Sequence, residues 1–207
     1  MYKHTGAFLH ILKHLRSLLR TIAHRFYCTQ FPTSSGLPDL QIHANYTNLL
    51  NDGGEILYGR TTFELMKFWQ SVLENPTEEK SMDEFALAID RIPKTVFSNT
   101  LKNEDSTVLD WQSARIAQQT LEETVPALKQ EPGKDILIGS RSLIVQLLNL
   151  HLIDEFQLCV YPVVAGKGLL LFEGLQERAV FGLINSKTFE SGAVLLHYDL
   201  NYPHRPA

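Results

Sequence analysis

From about Asp39 onward, two hydrophobic rhythms alternate along the chain. Short runs of consecutive apolar residues, as in Ile56-Leu57-Tyr58 and Ile136-Leu137-Ile138, read as buried strands. Stretches with apolar residues three and four apart read as amphipathic helices. The first predicted helix runs from Asp39, as its cap, to about Leu50, with Ile42, Tyr46, Leu49 and Leu50 inward. Asn51-Asp52-Gly53-Gly54 should end it through a left-handed glycine. Helices follow over Thr61–Trp69, with Phe63, Met66 and Phe68 as apolar contacts, and over Met82–Ile89, with a break at Asn75-Pro76-Thr77 between them. Strands are predicted at Lys94–Ser98 and Thr107–Leu109, then a helix capped by Ser113 and running to about Lys129, with Pro126 kinking it or marking its near end. Asp135–Ile138 and Ser142–Leu150 form the next strand and helix. Phe156–Val160 is apolar enough to be a central strand, and Ala179–Phe189 with Ala193–Tyr198 make a hairpin around Glu190-Ser191-Gly192. The order implies an α/β fold with a mainly parallel central sheet and an antiparallel C-terminal hairpin.

Residues 1–38 follow another rule. Phe8, Leu12, Leu15, Leu19, Ile22 and Phe26 fit one face of a helix, and the segment holds five basic side chains and no acid. A packed helix, a loosely ordered leader and a targeting or membrane-surface helix all fit that pattern. The other 169 residues carry all 23 acidic side chains against 14 basic ones. An acidic body argues against nucleic-acid binding. His10 and His14 stand one helical turn apart, but no zinc-type motif surrounds them, so no metal is expected. Cys28 and Cys159 form no disulfide framework, which points to a reducing, cytoplasmic setting. Residues 39–200 make up the expected domain, followed by a tail, 201–207.

The candidate chemistry lies where predicted strands end. One strand stops at Gly59-Arg60-Thr61-Thr62, another at Phe97-Ser98-Asn99-Thr100, a third at Ile138-Gly139-Ser140-Arg141-Ser142-Leu143. In a parallel sheet, ligands collect beyond the carboxyl ends of the strands. Free backbone N–H groups at a helix start attract phosphate, and arginine matches a phosphate dianion well. None of the three is a complete dinucleotide fingerprint or a P-loop. Each taken singly also fits an ordinary helix start, and Arg141 also fits a plain surface position.

In combination these segments resemble the dihydrofolate reductase-like superfamily, and within it the riboflavin-biosynthesis reductase (RibD C-terminal domain) branch. The resemblance covers about Asp39 to Leu200. It rests on Ile56 to Met66, Lys94 to Leu101, Gly133 to Ser140, Leu152 to Phe156, Tyr161 to Gly168 and Lys187 to Leu196. It implies a three-layer α/β sandwich, NADPH as cofactor, a small heterocyclic substrate and a homodimer. By the same resemblance, Gly59 lets the backbone approach the cofactor, and Arg60, Thr61 and Thr62 face its phosphates. Phe97, Ser98, Asn99 and Thr100 border the adenosine end. Ile138 and Gly139 to Leu143 cradle the pyrophosphate.

The resemblance also implies a reaction: reduction of an aminopyrimidine such as 5-amino-6-(5-phosphoribosylamino)uracil, or of dihydrofolate. Relatives begin with a strand and a Ser-Leu-Asp-Gly-like loop, which this chain lacks in recognisable form. Arg25 to Gln30 and Ser34 to Asp39 are the candidates for them. No proton donor stands out, and Asp39 reads better as a helix cap. Asp154 and Glu155 fit either a contact with a polar substrate or, the favoured reading, a solvated strand entry. Two other functions stay open: a pseudoenzyme that keeps only the NADPH half, and a docking protein that uses the basic N-terminal helix on a membrane or partner.

Overall fold

The computed structural model describes residues 40–77, 79–98, 109–162 and 170–200, together with the backbone of two short strands, β1 (Ala7–His10) and β2 (Ile22–Ala23). After them come α1 (Leu40–Asp52), β3 (Gly53–Gly59), α2 (Arg60–Met66), α3 (Phe68–Glu74), α4 (Lys80–Arg91), β4 (Lys94–Phe97) and β5 (Ala114–Ile116). The second half holds α5 (Leu121–Gln130), β6 (Asp135–Ile138), α6 (Arg141–Asn149), β7 (Glu155–Val160), β8 (Phe181–Thr188) and β9 (Val194–Leu200).

Two sheets organise these elements. One is parallel throughout, in the order β2-β6-β3-β4-β5. The other is antiparallel throughout, in the order β1-β7-β9-β8. On β3, Ile56, Leu57 and Tyr58 are all buried in succession. Side chains alternate between faces, so both faces of the parallel sheet are covered, as a three-layer arrangement requires. β7 has neighbours on both sides, as its apolar sequence predicts. At the hairpin tip, Gly192 takes φ +80°, a conformation that side chains resist.

Several sequence expectations are corrected. Helix α1 buries Ile42, Tyr46 and Leu50 as predicted, but it runs straight into β3 with no left-handed glycine. Gly53 serves close packing instead: a Cβ there would lie 2.9 Å from Leu137 Cδ1. The helix expected over Thr61–Trp69 breaks at Lys67 into α2 and α3, and Phe68 is exposed while Trp69 is fully buried. Ser113 caps no helix. Strand β5 follows it, and α5 starts at Thr120, whose side chain accepts from the Glu123 N–H in a capping box. Pro126 lies inside α5. Leu109 is not in a strand, and Thr107 and Val108 lie outside the described residues.

The expected N-terminal helix fails at six positions. Ala7–His10 pairs with β7, and Ile22–Ala23 pairs with β6 while also lying against β7. The edges of β6 and β7 offer unpaired backbone groups, and satisfying them outweighs a helical spacing of apolar residues. The candidate first strand, Arg25 to Gln30, and the candidate loop, Ser34 to Asp39, lie outside the described residues.

Candidate functional site

Strands β6, β3 and β4 are consecutive neighbours in the parallel sheet, so their carboxyl ends form one rim. The register places Leu57 beside Ile138 and Gly59 beside Phe97. Two hydrogen bonds lock the ends together. The Gly139 N–H donates to the Leu57 carbonyl at 3.1 Å, and the Gly59 N–H donates to Ser140 Oγ at 2.7 Å. A Cβ on Gly59 would point between two hydroxyls, 3.5 Å from Ser142 Oγ and 3.7 Å from Ser140 Oγ. Gly59, Ser140 and Ser142, which are far apart in sequence, thus surround one point.

The second bond decides the electrostatics. Ser140 is the N-cap residue of α6, yet its side chain makes no cap hydrogen bond, because its hydroxyl is turned to Gly59. The first turn of α6 contains no acid. Its amide groups and the positive end of the helix dipole therefore face the rim without an internal counter-charge. Helix α2 begins at the same rim, directly after Gly59, with Arg60 and Thr61 exposed and Thr62 half-buried. Phe97 and Ser98 are half-buried at the end of β4. Asn99 and Thr100 lie outside the described residues.

The model of the RibD C-terminal domain family matches residues 37–195. The chain belongs to the RibD C-terminal domain family. It is 40% identical over 157 residues to YyaP, an uncharacterized protein of Bacillus subtilis, covering 75% of this chain and 79% of the relative. A second uncharacterized Bacillus subtilis protein, YwjB, is 42% identical over 72 residues, 34% of this chain and 41% of the relative. The solved structure of a Shewanella sp. PV-4 protein assigned to riboflavin biosynthesis superposes with a TM-score of 0.55 at 20% identity, over 76% of this chain and 80% of that one. That likeness establishes the fold.

Within this RibD-type frame, the individual rim residues divide by exposure. Ile138 and Leu143 are buried, so they support the rim through packing and offer a ligand only their backbone. Gly139 is buried too, and its lack of a side chain has a local reason: a Cβ would come 2.3 Å from Tyr58 Cε1. Arg141 is engaged elsewhere. It donates to the Leu170 carbonyl at 2.7 Å and lies 3.6 Å from Glu173 Oε2, tying α6 to the segment before β8.

Other ionisable groups serve the scaffold. Asp154 and Glu155, expected at a solvated strand entry, are buried with side-chain partners: Lys129 Nζ is 2.8 Å from Asp154, and His197 Nε2 is 2.7 Å from Glu155. Lys129 also donates to the Leu152 carbonyl at 2.9 Å. Lys94 is fully buried at the far end of β4 from the rim. Its ammonium donates to the carbonyls of Asp90 and Ile92 and to Ser113 Oγ, and it sits 4.2 Å from the Trp111 ring centroid. Burial brings its pKa from 10.5 down to about 7, against the opposing pull of Asp90. Across β3, β4 and β5, Thr95 donates to Glu55 and accepts from Arg115, which also pairs with Glu55 at 3.0 Å. Among the described residues, no cluster of acids, histidines and cysteines could hold a metal ion. Among them, too, no helix is long and apolar enough to cross a membrane.

Proposed function

We propose that this protein is an NADPH-dependent reductase of a small heterocycle, an aminopyrimidine or a pterin. The observation that carries the reading is the meeting of Gly59, Ser140 and Ser142 at the uncapped, acid-free start of α6. Backbone amides, two hydroxyls and a helix dipole suit a pyrophosphate. Arg60, exposed at the start of α2, suits the 2′-phosphate that separates NADPH from NADH. NADPH, when bound, supplies a hydride to an unsaturated carbon or imine. The chain's part is to grip the phosphates, hold the reacting rings face to face and keep water away.

One observation favours a second reading, a cofactor-binding module without turnover. The three rim segments contain no aspartate, glutamate or histidine, so none of their side chains is an evident acid for the reduced heterocycle. Under the first reading the proton comes from a single water admitted to an otherwise dry pocket, or from an acid outside these segments. Calorimetric titration with NADPH and NADH tests the reading common to both: NADPH should bind, and more tightly than NADH. Negligible binding of both would remove the two together. NADPH oxidation against a panel of pterins and aminopyrimidines then separates them, because a reductase turns over at least one and the module none.

A further inference from the structure

Tyr58 is the residue immediately before Gly59, and it points the other way. Gly59 faces the α6 hydroxyls, so the alternation of the strand sends Tyr58 to the opposite face of the sheet. On that face Ile56 and Lys94 are register partners, and Lys94 reaches the carboxyl end of α4. The Tyr58 ring passes under the Gly139 turn, filling the space that a side chain there would take. It is fully buried, and its hydroxyl has no hydrogen-bond partner among the described residues. An unmet buried hydroxyl costs about 1–3 kcal/mol, and phenylalanine would fill the same space without that cost. Burial raises the phenol's pKa, so the group remains an O–H donor across the working pH range.

We propose that the Tyr58 hydroxyl is a positioning hydrogen-bond donor for the ring end of the bound ligands. Its acceptor is an amide-type carbonyl oxygen, carried either by the nicotinamide carboxamide or by the heterocyclic substrate. The inference rests on the reductase reading above. If the phosphates lie on the α6 side of the rim, the reacting rings extend across the sheet edge past Gly139, toward the face that Tyr58 occupies.

The test is Tyr58→Phe, read with three ligands. The adenosine fragment 2′,5′-ADP should bind as it does to wild type. NADPH affinity should fall, or the KM for the heterocycle should rise, by about 2- to 10-fold, the range of one net hydrogen bond. A fall in NADPH affinity identifies the carboxamide as the acceptor; a rise in KM alone identifies the substrate. The melting temperature should stay level or rise, because an unmet group has been removed. The inference is overturned if NADPH affinity and KM both stay at wild-type values, or if NADPH affinity stays level in a protein without turnover. It is also overturned if 2′,5′-ADP weakens in parallel with NADPH, since the residue would then only shape the phosphate rim. Failure of wild type to bind NADPH at all would overturn the reductase reading, and this inference with it. Intact wild-type binding with an unaffected variant sinks this inference alone.

Discussion

Helices α5 and α6 each follow a short strand of the same parallel sheet, and they begin in opposite ways. Helix α5 is closed on itself. Thr120 and Glu123 exchange hydrogen bonds at 3.2 and 3.3 Å, and Glu122 and Glu123 place negative charge on the positive end of the dipole. Helix α6 has a serine in the capping position, no acid in its first turn, and the serine hydroxyl committed to Gly59. The same backbone physics acts at both ends. One end is satisfied from within; the other is not, and on the proposed reading it receives the cofactor's phosphates. A capping-type residue in sequence therefore does not mean a capped helix.

Four substitutions probe this difference, from the largest expected effect to the smallest. Gly139→Ala puts a methyl 2.3 Å from the Tyr58 ring, so overpacking should cost about 1–3 kcal/mol in thermal unfolding. Repeating it in a Tyr58→Leu background should recover most of that loss; an unchanged melting temperature for the single variant would show that the ring does not support the turn. Ser140→Ala leaves the Gly59 N–H unmet at a cost of about 1–3 kcal/mol and should weaken NADPH binding as well. Its control, Thr120→Ala, should cost about 1 kcal/mol and leave NADPH binding unchanged. Similar NADPH losses from both would erase the distinction between the helix starts. Arg60→Ala should weaken NADPH by about tenfold, with a smaller effect on NADH, if the side chain makes a charge-assisted contact with the 2′-phosphate. Parallel losses would mean that Arg60 reads something the two cofactors share.

The smallest effect concerns the scaffold end of β4. The folded protein releases the Lys94 proton near pH 7, whereas the unfolded chain holds it up to the ordinary lysine range. The unfolded state thus binds more protons between those values, and stability should rise with pH from about 7 to about 10. Below pH 7 the group contributes no slope. Above about pH 10 the buried Tyr46 and Tyr58, whose pKa values are raised, act in the opposite direction. Lys94→Met should flatten the rise in melting temperature over pH 7–10; an unchanged slope would place its origin in another group.

Legibility in the sequence follows the distance to the partner. Elements set by local pattern were readable: the apolar core of β3, the alternation of strand and helix, and the hairpin at Gly192. The rim was readable because strand ends announce themselves by Gly59 and Gly139, and neighbouring parallel strands bring such ends together. Groups whose partners lie far along the chain were not. Ser113 reads as a cap, but its hydroxyl donates to the Asp90 carbonyl and accepts from Lys94. Asp154 and Glu155 read as solvated because Lys129 and His197 are 25 and 42 residues away. Arg141 reads equally as a phosphate contact or a surface position, and its bonds to Leu170 and Glu173 are not visible in the sequence. Tyr58 left one sign, an aromatic phenol in an aliphatic strand directly before Gly59-Arg60.

The most direct test is amide hydrogen exchange of the whole protein with and without saturating NADPH. The account predicts slower exchange in the peptides spanning 59–62 and 139–144, with the start of α5 around 120–124 unchanged. Protection at α5, or none at the two rim segments while the cofactor is bound, would contradict it.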